Sequence, residues 1–387
     1  MDQDRLAQLI EISRAVGSNP DYVQAGGGNT SMKSSDGRTM AIKASGVSLA
    51  SMTGSYGWVE LDVAAVLGIF DQHDLSLLPT QEREERVRQH FSGATLGGRG
   101  RPSVESALHA ILGTVVIHTH AVAANALNCG PGAKALAEIT PPGEVLPFWI
   151  PYTDPGWTLA MAVKAAAEAH QREHGRAPVA LFMENHGLLV SAPDARECLA
   201  LHNAWVARAA QYFASTAPPC ACGPEVGSAT LQEATAELHR IWREARGATP
   251  FVRHSVSPEL SGIVSNETAE ILANGVLTPD HIVYTGTRAV LAESLQELPG
   301  KLKPALAEKS PPRLVMIRGI GAFLVADDPV KLDAAEALAV AAAKIVRLAS
   351  GRGGAHILRP ASVDFIINWE AEHYRAGLVA SRESAGG

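Results

Sequence analysis

Two histidines one residue apart, His118 and His120, close an apolar run, Gly113-Thr114-Val115-Val116-Ile117. The run reads as a buried β-strand. Side chains at i and i+2 of a strand point to the same face. Both imidazoles therefore leave the strand end together, as two ligands of one metal ion must. Hydrogen-bonded core histidines carry the same pattern, so the pair alone leaves both readings open.

The rest of the chain narrows the choice. A length of 387 residues favours two or three domains. Apolar residues make up 46% and charged ones 19%, enough for a sizeable core and too apolar for disorder. The net charge of −7, with no concentrated basic face, argues against a nucleic-acid partner. No apolar run reaches membrane-spanning length, and Met1-Asp2-Gln3-Asp4-Arg5 lacks the basic start and apolar stretch of a signal peptide. The expectation is a cytoplasmic protein without a membrane partner. Of the four cysteines, Cys129 and Cys198 lie in helix-like contexts, and Cys220 and Cys222 in a Pro/Ala/Gly-rich stretch. A single C-x-C without a second pair is weak evidence for zinc, so reduced, non-ligating thiols are expected.

Helical spacing over residues 3–17 ends at Gly17 and Pro20. Gly26-Gly27-Gly28-Asn29-Thr30-Ser31 follows, a backbone that can approach a ligand and turn its N–H groups toward an anion, or simply a flexible turn. It is not a Walker loop, because no Gly-Lys-Ser/Thr comes after it. A strand at 39–43 leads to a second small-residue loop, Ala44-Ser45-Gly46. Strand 57–61, a helix from Asp62 and a charged, exposed helix at 80–92 come next, then Pro102-Ser103-Val104-Glu105 and a helix over 104–112. Glu105 and His109 are spaced i, i+4 on one face of that helix. A second buried strand, 179–183, delivers Glu184-Asn185-His186-Gly187, and a long helix at 193–214 closes the region. Beyond a Pro/Gly/Ala-rich linker the pattern is again α/β: helices at 229–246, 267–274, 288–298 and 329–349, a strand at 281–284, and a hairpin around Arg318-Gly319-Ile320-Gly321. Gly319-x-Gly321 lacks the rest of a dinucleotide fingerprint.

Gly28-Asn29-Thr30-Ser31, Ser45-Gly46, Pro102-Ser103-Val104-Glu105, His118-Thr119-His120 and Asn185-His186-Gly187-Leu188 together resemble the class II aldolase/adducin family, in its order and roughly its spacing. The resemblance covers residues 5–215. It implies an α/β fold, a three-layer α/β/α core with a mainly antiparallel central sheet, and a smaller C-terminal α/β domain. The boundaries read as a catalytic domain at 1–217, a linker at 218–228 and a C-terminal domain of unknown role at 229–387. The last segment looks like the region after the aldolase core in bifunctional rhamnulose-phosphate aldolase/dehydrogenase proteins, on the strength of Arg318-Gly319-Ile320-Gly321 and Asn368-Trp369-Glu370, but without the dehydrogenase.

The resemblance also implies a divalent metal, usually zinc, held by His118, His120 and His186, with Glu105 as catalytic acid/base. Gly28, Asn29, Ser45, Gly46 and Ser103 fall on the substrate loops. The substrate is then a small sugar-phosphate-like molecule, and the assembly a homo-oligomer, tetrameric by family analogy. Where some family aldolases use a tyrosine from a neighbouring subunit, Tyr152 is the nearby candidate; a loop tyrosine packed at an interface is the alternative. Val104 stands where the family's phosphate loop usually carries a serine, which admits an anchoring group other than phosphate.

The chemistry follows from the donor set. Three neutral histidines leave a metal its full charge and open positions. Retro-aldol cleavage of a ketose phosphate leaves an enediolate, whose charge such a metal stabilises while a carboxylate moves the proton. No Schiff-base lysine is needed, so Lys33 and Lys43 need not be catalytic; Lys33 is either an electrostatic aid to an anion or a solvated surface residue. A decarboxylase of a 3-oxo sugar-acid phosphate forms the same enediolate. A sugar-phosphate 4-epimerase typically carries Asp where this chain has Glu105. A non-catalytic adducin-like module loses the ligands that this chain keeps.

Overall fold

The computed structural model describes residues 2–369 apart from 99, 221, 222 and 224, so Cys222 and Glu370 lie outside the described residues. The chain divides into two compact units, one made of Met1–Asn128 and Gly132–Tyr212, the other of Cys129–Pro131 and Phe213–Gly387.

The first unit is built on an eight-stranded sheet of β1 (Asn29–Lys33), β2 (Thr39–Lys43), β3 (Trp58–Asp62), β4 (Thr95–Gly98), β5 (Val115–Thr119), β6 (Phe148–Ile150), β7 (Ala180–Met183) and β8 (Gly187–Ala192). Their order is β4-β3-β2-β1-β5-β8-β7-β6. Every pairing is antiparallel except β6 with β7. The helices are α1 (Gln3–Gly17), α2 (Val63–Leu67), α3 (Thr80–Gly93), α4 (Ser106–Ile111), α5 (Val122–Asn128), α6 (Ala133–Ile139), α7 (Trp157–His174) and α8 (Ala195–Ala214).

Strand alternation separates the two faces of this sheet. On one, Met40, Ile42, Val59, Leu61, Val116, Leu181 and Leu189 pack with Ala107, Leu108 and Ala110 of α4 and with Leu159 and Val163 of α7. On the other, Thr30 meets Ser13 of α1 (Oγ to Oγ1 2.7 Å) and Thr119 meets His202 of α8 (Oγ1 to Nε2 2.8 Å). Helices thus cover both faces, the three-layer α/β/α arrangement implied above.

Two local expectations change. The α3 helix is charged, but Glu84 is buried, and its carboxylate accepts the Trp157 N–H (3.2 Å) that opens α7. A carboxylate at a helix N-terminus satisfies an orphan donor and complements the dipole. Lys33 is half-buried rather than a free surface residue: its ammonium donates to the Ala110 and Leu112 carbonyls (2.7 and 2.5 Å) at the end of α4. Burial lowers its pKa to about 8.

The second unit holds a four-stranded sheet of order β10-β11-β12-β9, made of β9 (Phe251–His254), β10 (Val290–Ala292), β11 (Leu314–Ile317) and β12 (Gly321–Ala326). Its helices are α9 (Ser228–Arg246), α10 (Pro258–Val264), α11 (Ala269–Asn274), α12 (Pro279–Thr285), α13 (Leu298–Leu306), α14 (Pro329–Ser350) and α15 (Pro360–Asn368). Leu238, Ile241 and Trp242 of α9 and Leu302 and Leu306 of α13 pack on Val315, Ile317, Phe323 and Val325 of the sheet. The expected strand at 281–284 is instead helical, part of α12. Pro279 starts the helix at a position that suits proline. All seven α12 residues are buried, Asp280, His281 and Thr285 among them, and the helix has only about two turns, too few for its period to stand out in sequence. The expected helix at 288–298 is the reverse error: Val290–Ala292 pairs in parallel with β11, and helix begins only at Leu298. Among the described residues, no helix is long and apolar enough to cross a membrane.

Candidate metal centre

The end of the first unit's sheet gathers the site. Antiparallel pairing places the start of β1 and the start of β8 on either side of the end of β5: Asn29 pairs with His118, and Leu188 with Thr119. His118, in step with Val116, faces the layer that contains α4. His120 follows the last residue of β5. His186 lies in the turn Glu184-Asn185-His186 between β7 and β8, where Met183 pairs with Gly187 and Asn185 takes φ +50°. Asparagine is among the few residues that accept that conformation readily.

The side chains converge. The ligand nitrogens of His118, His120 and His186 lie within 4.8 Å of one another. His118 Nε2 is 3.1 Å from His120 Nε2. Glu105, at the N-cap of α4, reaches the same point, its Oε1 3.4 Å from His118 Nε2 and 3.3 Å from His186 Nε2. His118 Nδ1 is 3.0 Å from the Leu188 carbonyl oxygen. A carbonyl only accepts, so Nδ1 carries the proton and a neutral ring turns the Nε2 lone pair toward the cluster.

These spacings fit a divalent ion. Nitrogen and oxygen donors about 2.0–2.1 Å from a tetrahedral zinc stand roughly 3.3 Å apart. Three of the edges here are 3.1, 3.3 and 3.4 Å, and all three histidine nitrogens lie within 4.8 Å of one another. Three imidazoles and one carboxylate are a donor set suited to zinc or a similar borderline cation. Burial opposes the charge on Glu105, yet without a metal the protons that His118 and His186 turn toward it outweigh burial and hold its carboxyl well below the ordinary range; a bound cation would take the place of those protons. Burial likewise lowers the His186 pKa, with Glu105 opposing, and a lowered value keeps a ligating imidazole neutral.

Two glycines are forced by this packing. A Cβ on Gly187 would stand 2.6 Å from the Thr119 oxygen, 2.8 Å from His118 Cε1 and 2.9 Å from His120 Cδ2. Gly28, at φ +66°, would place one 2.9 Å from the His118 carbonyl oxygen.

The expected substrate loops are tied to one another and to the cluster. Asn29 Nδ2 donates to Ser103 Oγ (2.6 Å), which also accepts the Glu105 N–H (3.2 Å). The Ser45 N–H donates to the Arg101 carbonyl (2.9 Å), and Gly46 turns the chain at φ +76°. Lys43 is buried and donates to the Gly26 and Val47 carbonyls (3.2 and 2.8 Å), joining the first loop to the second. Tyr152 is not in the cluster; its N–H donates to the Glu184 carboxylate (2.8 Å). His109 does not converge on it either: it is buried with Nδ1 2.8 Å from Ser31 Oγ, and burial drops its pKa to about 3. Cys198 is buried with its thiol pushed up to about 12, in keeping with an inert, non-ligating thiol.

The family domain described as Class II Aldolase and Adducin N-terminal domain matches residues 7–213, more than half of the chain. The chain belongs to the class II aldolase and adducin family. The match spans the whole of this site. Among curated proteins, the family chain is similar to the Uncharacterized oxidoreductase YuxG of Bacillus subtilis (strain 168), at 28% identity over 314 residues. That is 73% of this chain, which spans 42% of the relative's own length. Among solved structures, it is similar to the N-terminal class II aldolase domain of a conserved Thermoplasma acidophilum protein, with 25% identity and a TM-score of 0.44 over 55% of this chain and 95% of the other. An L-fuculose 1-phosphate aldolase matches at 19% identity and a TM-score of 0.40, over 60% and 95%.

The histidines of the cluster stand in readable motifs, whereas the residues that hold them in place do not. His202, Asn125, Asn128 and Lys43 belong to no motif. The available signal was polarity in the wrong place, such as two asparagines in the otherwise apolar α5.

Proposed function

We propose that this chain is a metal-dependent aldolase that reversibly cleaves a carbon–carbon bond in a hydroxy-keto sugar derivative, such as a ketose phosphate. The observation that carries the reading is the convergence of Glu105 Oε1 on two of three clustered histidines, at 3.4 and 3.3 Å. His118, His120 and His186 would hold a divalent ion, zinc in the first instance. When bound, that ion supplies Lewis acidity to the carbonyl and hydroxyl oxygens of the ketone fragment.

The chain's own residues do the rest. Glu105, held as a carboxylate, accepts the proton removed from the hydroxyketone carbon and returns it in the reverse direction. Its backbone is fixed to Ser103 Oγ, and through it to Asn29, so the base is oriented by the same loop that faces the substrate. Asn29, Ser45 and Ser103, with the backbone at Gly28 and Gly46, bind and orient an anionic end of the substrate. Val104 removes one hydroxyl from that surface, so a carboxylate or hydroxyl anchor joins phosphate as a candidate. Tyr152 is the candidate acid for the aldehyde oxygen. Catalysis belongs to residues 1–217, in a homo-oligomer by analogy with family aldolases.

Incubation with dihydroxyacetone phosphate or dihydroxyacetone and a panel of aldehydes tests the reading. The expected result is a new carbon–carbon bond that requires added divalent metal. No bond formation, together with carbon dioxide release from 3-oxo acid phosphates, would replace the aldolase by a decarboxylase.

A further inference from the structure

Two of the three clustered histidines sit on β5 and the segment after it, whereas His186 sits in a separate turn. Something must fix the distance between them. Helix α5 starts two residues after His120 and ends at Asn128, so its N-terminus is tied to the first pair by the chain itself. Its last residue grips the third histidine from both sides. The Asn128 carbonyl accepts the Asn185 N–H (3.2 Å), and Asn128 Nδ2 donates to the Gly187 carbonyl (3.0 Å). Residues 185 and 187 flank His186, so one side chain and its own backbone straddle the ligand.

The amide is oriented in turn. Asn128 Nδ2 gives its second hydrogen to Asn125 Oδ1 (3.1 Å), and the Asn125 amide leans back toward the His120 carbonyl at 3.5 Å. Turning the Asn128 amide over would set its oxygen against two acceptors, so the assignment is chemically forced. Both asparagines are buried, 2% exposed each, in a helix whose other residues are Val122, Ala123, Ala124, Ala126 and Leu127. Asn128 Oδ1 has no hydrogen-bond partner. A buried amide left half-satisfied costs stability, so packing alone does not account for asparagine here.

We infer that Asn128 is a positioning residue which, oriented by Asn125, sets the separation of His186 from His118 and His120 and thereby the affinity and geometry of the metal centre. The inference rests on the reading of the three histidines as ligands. Removing the donor amide leaves every ligand in place but lets the His186 turn move, and loss of such supporting contacts typically weakens metal binding about 10–100-fold.

The test uses full-length protein and Co2+ as the probe. Its dissociation constant is measured by competition with a chromophoric chelator, its geometry by visible absorption, and the Tm of the metal-free protein by calorimetry. Asn128→Leu is compared with Val163→Ala, which opens a cavity in the core of the same unit without touching Asn128 or its partners. Asn128→Leu is expected to weaken Co2+ binding by at least ~10-fold and alter the absorption band, while Val163→Ala lowers Tm and leaves both unchanged. If Asn128→Leu does not fold, Asn128→Asp, which keeps the shape and loses the donor, replaces it under the same expectation. Wild-type affinity and spectrum in the asparagine variant, or equal weakening in Val163→Ala, would overturn the positioning role. Wild-type protein that binds no Co2+, or a His120→Ala variant that binds it as well as wild type, would instead sink the ligand reading beneath it.

Discussion

At the scale of single residues the site is a contest between crowding and convergence, and Gly187 shows it most clearly. Three atoms, two of them on ligand rings, stand within 3 Å of where its Cβ would be. Gly187→Ala is expected to destabilise the fold by about 1–3 kcal/mol, as overpacking does, and to weaken metal binding at the same time. Denaturant unfolding with a parallel metal titration would expose the error if binding were untouched. Glu105 has a separable role. Glu105→Gln keeps the volume and an acceptor oxygen but cannot take the proton, so kcat should fall about 10²–10⁴-fold with metal still bound. Retained kcat would move the proton chemistry elsewhere. The clustered histidines were legible in the sequence because strand alternation and a following glycine leave a visible pattern. Asn128, His202 and Lys43 were not, because each acts through a partner 40 or more residues away or through a backbone carbonyl, and such pairings exist only once the sheet has formed.

At the scale of elements, β5 is held from both sides. Asn29 of β1 stands beside His118, and His202 of α8 holds Thr119 on the opposite face of the sheet. The pattern of the buried strands was readable, since β5, β7 and β8 have apolar runs bounded by turn residues. The fully buried α12 and the three-residue β10 were not: one has only about two turns in which to show a helical period, and the other is too short for its period to outweigh helix-favouring Ala, Leu and Glu. Burial also creates an acid sensitivity. His109 is lowered to about 3 and His202 to about 4, from 6.5. The unfolded chain therefore binds protons at these positions below pH 6.5 while the folded chain refuses them until pH 3–4. Stability from this source is complete above pH 6.5 and is lost as pH falls, by up to about 1.4 kcal/mol per pH unit for each histidine. Urea unfolding at pH 7 and pH 5 should show the loss, and His202→Gln should show less of it. Identical slopes for the two proteins would remove His202 from the account.

At the scale of the molecule, the chain joins a family-defining first unit to a second unit with its own four-stranded sheet and core. A metal that binds only the folded first unit stabilises it by mass action, about 2.7 kcal/mol at a free concentration 100 times the dissociation constant. Chelation should then lower Tm by about 5–10 °C, and a variant lacking a ligand should not respond. A chelator-insensitive wild type would contradict that linkage. If three histidines on two strand ends form one metal centre, elemental analysis of purified wild-type protein should find about one divalent ion per chain, and His120→Ala should lose it. A His120→Ala protein that keeps full occupancy would mean that the ion, if any, is held elsewhere.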